Sequence, residues 1–285
     1  MQKTFSVDLS GKVAVVTGGG GVLCAEMARA LANSGARIAI VDLKQEAAEA
    51  VAAEIRAAGG EAIGLAANVL ERVSLEQAAT EVLNRLGPCD LLINGAGGNH
   101  PKGTTTREAM TAADLGEADP AVVTFFTLDP DGMRFVFDLN FLGTLLPSQV
   151  FAKQMVGREG CSILNISSMN AFRPLTKIPA YSAAKAAVSN FTQWLAVHLA
   201  PVGVRVNAIA PGFFVTNQNR ALLFSPSGEP TARAGKILNN TPMKRFGEAS
   251  ELTGTLLWLA SEEASGFVNG IVVPVDGGFS AYSGV

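Results

Sequence analysis

The chain has 285 residues, enough for one large α/β domain or two small ones. Its net charge of −3 and the absence of a lysine/arginine cluster argue against nucleic acid or an anionic membrane as a partner. Hydrophobic residues make up 48% of the chain and charged residues 16%, which suits a parallel sheet buried on both faces.

Apolar runs alternate with segments of helical periodicity along most of the chain. Seven short apolar runs are typical of buried strands: 12–17, 37–42, 61–67, 90–94, 162–167, 204–210 and 271–276. Three amphipathic segments end near glycine and are typical of helices: 25–35, 46–60 and 75–87. This alternation predicts right-handed crossovers. We expect one Rossmann-type α/β domain over residues 1–285, a doubly wound parallel sheet of about seven strands with helices on both faces.

Two irregular stretches, 98–130 and 212–241, interrupt the alternation. Both are polar and rich in turn-forming residues, and the second contains short helical segments. Each follows a predicted strand, so each should lie at the carboxyl edge of the sheet, where ligands bind in such folds. We expect both to be loop insertions over the active site.

The first predicted strand runs into four consecutive glycines, 18–21, followed by a helix. In the pattern G-x-G-x-x-G/A the best register places Gly19 and Gly21 first and second and Cys24 third. The third place requires only a small side chain, because there the helix packs close to the strand. Free backbone N–H groups at the start of the helix can bind a pyrophosphate. The turn therefore predicts a dinucleotide site.

An aspartate indicates which dinucleotide this is. Asp42 ends the second strand, 23 residues after Gly19. A carboxylate there accepts hydrogen bonds from the adenosine ribose and repels a 2′-phosphate. We expect NAD(H) as the cofactor and NADP(H) to be less favoured, although the neighbouring Lys44 weakens that preference.

Two polar side chains lie four residues apart in YSAAK, at the start of a long helical segment. Tyr181 and Lys185 therefore share one helix face. A nearby ammonium, aided by the positive nicotinamide, should lower the pKa of a phenol from near 10 toward about 7, which makes it a usable acid or base. Ser168 ends a strand upstream, and Asn140 is an amide within an apolar helical stretch.

Together these features resemble the short-chain dehydrogenase/reductase family. The resemblance covers nearly the whole chain and includes NGAG at 94–97, APG at 210–212 and VDGG at 275–278. It implies that Tyr181 is the proton donor and that Lys185 binds the nicotinamide ribose and tunes the tyrosine. It further implies that Ser168 orients the substrate carbonyl and that Asn140 holds a water in a proton relay. A homotetramer, with the Tyr181 helix and the last strand as contacts, is implied as well.

The resemblance also implies a set of dinucleotide contacts. These are Gly18, Gly19, Gly21, Val22, Leu23, Asp42, Asn68, Val69, Asn94, Gly95, Ala96, Tyr181, Lys185, Pro211, Gly212, Phe214 and Thr216. Asn68 stands where the family often has an aspartate beside the adenine. The glycine turn departs from the usual pattern, which would place glycine at 22 and 24.

Several stretches are similar to the D-mannonate oxidoreductase (fructuronate reductase) branch of the family, among them NGAGGNHPK and APGFFVTNQNRALLF. That similarity implies interconversion of D-mannonate and D-fructuronate. The candidate substrate contacts are Asn99, His100, Lys102, Asn170, Arg173, Gln218, Asn219 and Arg220. Because arginine offers a bidentate fork to a carboxylate, Arg173 or Arg220 is the expected carboxylate ligand.

Other functions remain open on the residues alone. The same chemistry on another keto sugar acid, a polyol or a 3-oxoacyl ester is one alternative, and a non-catalytic dinucleotide sensor is another. We expect no metal site, since Cys24, Cys89 and Cys161 lack metal-ligand spacing and are expected to be reduced thiols. The N-terminus lacks a signal-peptide pattern and no run of about 18 apolar residues occurs, so we expect a cytoplasmic protein outside the membrane.

Overall fold

A single parallel sheet organises the protein in the computed structural model, which describes residues 6–116, 119, 121–216 and 219–284. The sheet has seven strands in the order β3-β2-β1-β4-β5-β6-β7, and every neighbouring pair is parallel. The strands are β1 (Val13–Thr17), β2 (Arg37–Asp42), β3 (Ala62–Ala66), β4 (Leu91–Asn94), β5 (Cys161–Ile166), β6 (Val204–Pro211) and β7 (Val272–Val275). The predicted Rossmann-type α/β fold is confirmed.

Helices cover both faces of the sheet. They are α1 (Val22–Asn33), α2 (Gln45–Ala57), α3 (Arg72–Arg85), α4 (Pro130–Phe137), α5 (Gly143–Phe151), α6 (Pro179–Leu199), α7 (Arg220–Leu223), α8 (Ala232–Asn240), α9 (Thr253–Ala260) and α10 (Glu262–Ser265). Successive side chains of a strand point to opposite faces, so Val16 of β1 packs in one buried cluster and Val15 in the other. The first cluster includes α1, α2 and α9, and the second includes α3, α5 and α6.

One helical stretch is long and apolar enough to span a membrane by length and composition alone. It covers Pro130–Gln154, and half of its most apolar window is buried inside the protein. A core helix of a folded domain has the same length and composition, so the stretch is weak evidence for a membrane span.

The two irregular stretches contact each other at the carboxyl edge of the sheet. The first contains three short 3₁₀ turns, Pro101–Gly103, Ala112–Gly116 and Phe125–Thr127. The second carries α7 and α8. Lys236 Nζ on α8 donates to both carboxylate oxygens of Glu108 in the first stretch, at 2.9 Å each. An ion pair therefore joins the two insertions.

Candidate active site

The glycine turn between β1 and α1 leaves no room for side chains. Gly18 has φ +63°, and a Cβ on it would lie 2.8 Å from Ala96 Cα. A Cβ on Gly19 would lie 2.7 Å from Ile40 Cγ2. Gly21 caps α1, whose first turn carries no acidic side chain. The turn thus brings backbone N–H groups to the positive end of a helix, which suits a pyrophosphate.

Cys24 replaces the third glycine without displacing α1. Its side chain is buried, and its Sγ occupies the space that a Cβ on Gly95 would need. The absence of a side chain at Gly95 therefore compensates for the extra volume of Cys24, and the close packing of α1 survives. Burial raises the pKa of the Cys24 thiol to about 12, so it stays neutral.

Asp42 braces the glycine turn from the end of β2. Its Oδ2 accepts a hydrogen bond from the Gly20 N–H at 3.0 Å, and its Oδ1 accepts one from the Lys44 N–H at 3.1 Å. The carboxylate therefore lies directly beside the turn, where a ribose bound to the turn would meet it.

Replacing Asp42 by alanine is expected to shift cofactor choice toward NADPH. Loss of the charge removes the repulsion of a 2′-phosphate, so the NADPH/NADH ratio of kcat/KM should rise at least about tenfold, or about 1.4 kcal/mol. The Asp42→Asn variant is the control for bracing, because an amide oxygen still accepts from Gly20. Steady-state kinetics with both cofactors measure the ratio. An unchanged ratio in both variants would remove Asp42 from the ribose site.

The predicted adenine-side residues are held by local contacts. The Asn68 amide donates to Glu71 Oε1 at 2.8 Å, and its oxygen accepts from the Leu70 N–H at 3.1 Å. Val69 is buried and packs against Gly143 at the start of α5. Both positions are compatible with a nucleotide at this edge of the sheet. To contact the base, the Asn68 amide would have to give up a hydrogen bond within its own loop.

Asn94 points into the core rather than toward the cofactor cleft. Its amide nitrogen donates to Ser148 Oγ on α5 at 2.8 Å and to Asn165 Oδ1 on β5 at 2.9 Å. Asn165 in turn donates to Thr192 Oγ1 on α6 at 2.9 Å. This buried chain of hydrogen bonds runs across the adjacent strands β4 and β5 and joins α5 to α6. Any cofactor contact at Asn94 would come from its backbone.

The predicted residues after β6 form a tight turn. A Cβ on Gly212 would lie 2.6 Å from Asp276 Cα, so the strand ends β6 and β7 nearly touch. The Phe214 side chain is buried. Asn219 holds the turn by accepting from the Thr216 N–H at 2.8 Å and donating to the Phe214 carbonyl at 2.7 Å. Asn219 therefore supports the loop, and Pro211 simply ends β6.

Asn140 sits in a single π-helical turn, Asp138–Leu142, between α4 and α5. Such turns widen a helix and are frequent at functional sites. The Asn140 side chain is fully buried, and its amide donates to the Gly98 and Val136 carbonyls at 2.7 Å each. The Thr144 hydroxyl donates to the Asn140 carbonyl at 2.8 Å. The π turn thus fixes Asn140 against the loop after β4.

Lys185 and Tyr181 lie one turn apart on α6, as the spacing predicts. Lys185 is buried, and its Nζ donates to the Ile166 carbonyl at 2.7 Å and lies 5.7 Å from the Tyr181 ring centroid. A Cβ on Gly97 would lie 2.7 Å from Asn140 Oδ1 and 3.2 Å from Lys185 Nζ, so both side chains converge on this glycine. Gly97 lies in the NGAG motif and was not among the predicted site residues.

Ser168 completes the set at the end of β5. It is buried, and its Oγ accepts from the Asn170 N–H at 3.2 Å. Its hydroxyl also hydrogen-bonds the Tyr181 phenol and lowers the phenol pKa. The structure thus brings the four predicted catalytic residues to one place.

The electrostatics of the tyrosine differ from the sequence-based expectation. Burial raises the pKa of Tyr181 above 10, and it outweighs the hydrogen bond from Ser168. Lys185 is not among the groups that lower it, and burial lowers the pKa of Lys185 itself to about 8.

Most predicted substrate residues are engaged by neighbouring groups. The Asn99 amide donates to Thr104 Oγ1 at 3.0 Å, and the His100 ring lies 5.1 Å from that of Phe135. Lys102 lies 3.7 Å from Asp129. Arg220 lies over the Phe224 ring at 5.7 Å.

Two predicted substrate residues flank Ser168 on its C-terminal side. Asn170 is buried, and its Oδ1 has no hydrogen-bond partner among the described residues. Arg173 is exposed. Gln218 lies outside the described residues. An unpaired buried amide oxygen beside Ser168 makes Asn170 the candidate best placed to accept a substrate hydroxyl.

A family model described as short chain dehydrogenase matches residues 12–223. The chain belongs to the short-chain dehydrogenase family. An oxidoreductase of Haemophilus influenzae without assigned activity is 59% identical over 278 residues, 98% of this chain and 96% of that protein. The oxidoreductase UxuB of Bacillus subtilis, also uncharacterized, is 55% identical over 278 residues, 98% of each.

A crystal structure of an H. influenzae protein is similar to this chain over nearly its whole length. It is described as a candidate D-mannonate oxidoreductase with bound NAD. It is 58% identical to this dehydrogenase, covers 98% of both chains and has a TM-score of 0.93. The predicted family and the prediction of an oxidoreductase are thereby confirmed.

The stability of this dehydrogenase should depend on pH through Lys185. In the unfolded chain the amine keeps its proton up to its ordinary pKa of 10.5, whereas in the fold it loses it near 8. Between those values the unfolded state binds more protons, so the stability contributed by this residue rises with pH and is lost as pH falls through about 8. We expect the free energy of unfolding of the wild type, relative to Lys185→Met, to rise by about 2 kcal/mol from about pH 7 to about pH 9.5.

Urea unfolding of both proteins across this range measures the effect. The exposed Lys153 provides the control, since Lys153→Met should leave the difference flat. A flat difference for Lys185→Met as well would mean that the buried amine is not desolvated as its position requires.

Proposed function

We propose that the protein is an NAD(H)-dependent oxidoreductase that interconverts D-mannonate and D-fructuronate. The convergence of Asn140, Ser168, Tyr181 and Lys185 beside the glycine turn supports the reaction class, because dinucleotide binding alone does not require all four. The 58% identity to the NAD-bound H. influenzae protein over 98% of the chain supports the substrate.

In the oxidative direction the C5 hydroxyl of D-mannonate loses its proton and C5 loses a hydride, which leaves the ketone of D-fructuronate. Tyr181 accepts the proton, and Ser168 donates a hydrogen bond to the same oxygen. Lys185 stabilises the phenolate. Asn140 holds a water through which the proton passes on toward solvent. When bound, the nicotinamide accepts the hydride, and its positive charge lowers the Tyr181 pKa that burial raises. Reduction runs through the same groups in reverse.

The glycine turn and Asp42 fit NAD. The glycine turn packs closely against Ala96 and Ile40 because positions 18 and 19 lack side chains, and its backbone N–H groups suit a pyrophosphate. The Asp42 carboxylate braces that turn and disfavours a 2′-phosphate. We therefore assign NAD(H) as the cofactor and NADP(H) as the poorer one.

We further propose a cytoplasmic homotetramer. Trp194 and Val197 on α6 are 56% and 77% exposed, an apolar face that a second copy would cover. Phe267, before β7, is fully exposed. The three cysteines are free and buried, which suits a reducing compartment. Light scattering measures the subunit number, and a monomer would contradict the tetramer.

The test is NADH oxidation by the purified protein with D-fructuronate, D-tagaturonate and an acetoacetyl ester in parallel. We expect the highest kcat/KM with D-fructuronate. Preference for another ketone would agree with the reaction of the family but would show that the proposed substrate is wrong. NADH binding without turnover of any ketone would replace the enzyme with a dinucleotide sensor.

A further inference from the structure

Lys177 adopts a backbone conformation that lysine rarely takes. It directly precedes the capping residue of α6 and has φ +70°, in the left-handed region. Its carbonyl accepts a hydrogen bond from the Thr105 N–H at 2.8 Å, which ties the first insertion to the start of the catalytic helix. Such a conformation is strained for a residue with a Cβ. Strain of this kind persists where the surroundings impose it and is common at ligand sites.

The lysine lines a cavity next to the catalytic helix. The cavity has a volume of about 290 Å³ and is walled by the first insertion and by residues 174–179. It reaches Pro179, the first residue of α6, two positions before Tyr181. Gly103 of the same insertion lies against Ala180, since a Cβ on it would be 3.4 Å from Ala180 Cβ. The cavity therefore reaches the first turn of the helix that carries Tyr181.

The charged groups of this cavity are paired, with one exception. Arg107 forms an ion pair with the buried Asp114, and Glu108 is held by Lys236. Lys177 is half-buried and has no carboxylate within ion-pair distance in the part of the chain that the structure describes. Lys236 and, at longer range, Lys177 and Arg233 all act on the Glu108 carboxylate and hold its pKa below the ordinary value. One carboxylate thus lies within electrostatic range of three cations where the two insertions meet.

We propose that Lys177 binds the carboxylate of the substrate, at the wall of this cavity. The inference rests on the proposed function, in which the substrate is a sugar acid. The charge of Lys177 would make the site selective for an anionic substrate. In D-mannonate the carboxylate is C1 and the reacting carbon is C5, so the anion must bind some distance from Tyr181 along the cleft. Lys177 lies four residues before Tyr181 on the same stretch of chain, which suits that separation. Glu108 competes with the substrate for the same cations.

Lys177 replaces the arginines that the sequence favoured for this role. Arg173 is exposed, and Arg220 is engaged with the Phe224 ring. Neither lines the cavity that Lys177 lines.

The test compares an acid with a neutral ketose of the same length. Lys177→Met is measured with D-fructuronate and with D-fructose, which has a hydroxymethyl group in place of the carboxylate. We expect kcat/KM for the acid to fall about 30-fold or more, mainly through KM, and kcat/KM for the neutral ketose to stay within about twofold. Glu108→Gln should lower KM for the acid alone.

Lys244→Met is the matched control. Lys244 is the other described non-glycine residue with positive φ, at +55°, and its Nζ donates to the Asn239 carbonyl at 2.8 Å away from this cavity. Its replacement should leave both substrates unchanged. Thermal unfolding of all variants, with Lys177→Arg as the charge-retaining rescue, separates folding from binding.

Each outcome decides between the two proposals. Reduction of D-fructuronate with no selective loss in Lys177→Met, or with equal loss for both substrates, overturns the role of Lys177 and leaves the proposed function standing. Reduction of a different keto acid that depends on Lys177 keeps the carboxylate site and overturns the substrate. If the wild type reduces only uncharged ketones, both proposals fail while the family chemistry survives.

Discussion

Replacing Tyr181 by phenylalanine is expected to reduce kcat by about 10² to 10⁴-fold, the usual contribution of a positioned acid or base. The variant keeps the aromatic ring and loses only the hydroxyl that hydrogen-bonds Ser168. NADH affinity should stay within about twofold, since the glycine turn and Asp42 are untouched. Stopped-flow or steady-state NADH oxidation gives kcat, and fluorescence titration gives the affinity.

The chain provides its own control for this substitution. It has two tyrosines, and the second, Tyr282, lies in the C-terminal tail and is partly exposed. Tyr282→Phe should leave kcat unchanged. Turnover by Tyr181→Phe near the wild-type rate would mean that another group supplies the proton, and the assignment of the acid would be wrong.

The sheet could be predicted because most of its strands are buried on both faces. All seven apolar runs became strands within about one residue of the predicted bounds, and the predicted order of strand and helix produced a fully parallel sheet. The helices extend beyond the predicted segments at their N-terminal ends. For α1 the reason is that Val22 and Leu23 follow Gly21, which caps the helix without a side chain.

The positions of the catalytic side chains were also predictable, but their energetics were not. The spacing of four residues on a helix places Tyr181 and Lys185 on one face. The position of Ser168 just after a strand places it at the carboxyl edge of the sheet. The effect of burial on the pKa values depends on how the loops and α4 close around α6, which no local pattern specifies. The lowered tyrosine pKa expected from the sequence also depends on the charge of a bound nicotinamide, and in the protein alone burial raises that pKa.

Asn94 and Lys177 illustrate the remaining gap. A polar residue at a strand end can face the cleft or the core, and only the packing of Ser148 and Asn165 shows that Asn94 faces the core. Lys177 carries no sequence signal, since positive φ is expected of glycine or asparagine rather than lysine. Both depend on contacts between residues far apart in the chain.

Replacing Gly18 by alanine is expected to weaken dinucleotide binding strongly, with modest effect on the rest of the fold. The new Cβ would lie 2.8 Å from Ala96 Cα, a backbone atom that cannot move without shifting the end of β4. The added strain of φ +63° costs about 1–2 kcal/mol. The turn must therefore move away from Ala96, and the N–H groups that we expect to bind the pyrophosphate move with it. We expect NADH affinity to fall about 100-fold, or about 2.7 kcal/mol.

Gly59 isolates the effect of strain from that of the steric clash. It follows α2 with φ +92°, and a Cβ there would meet nothing within 4 Å. Gly59→Ala should cost about 1 kcal/mol of stability and leave NADH affinity unchanged. Fluorescence titration and urea unfolding of both variants give the two quantities separately. Equal affinity losses in the two variants would show that global destabilisation limits binding, and not the contact with Ala96. The close approach of Gly18 to the loop after β4 would then not determine the shape of the pyrophosphate site.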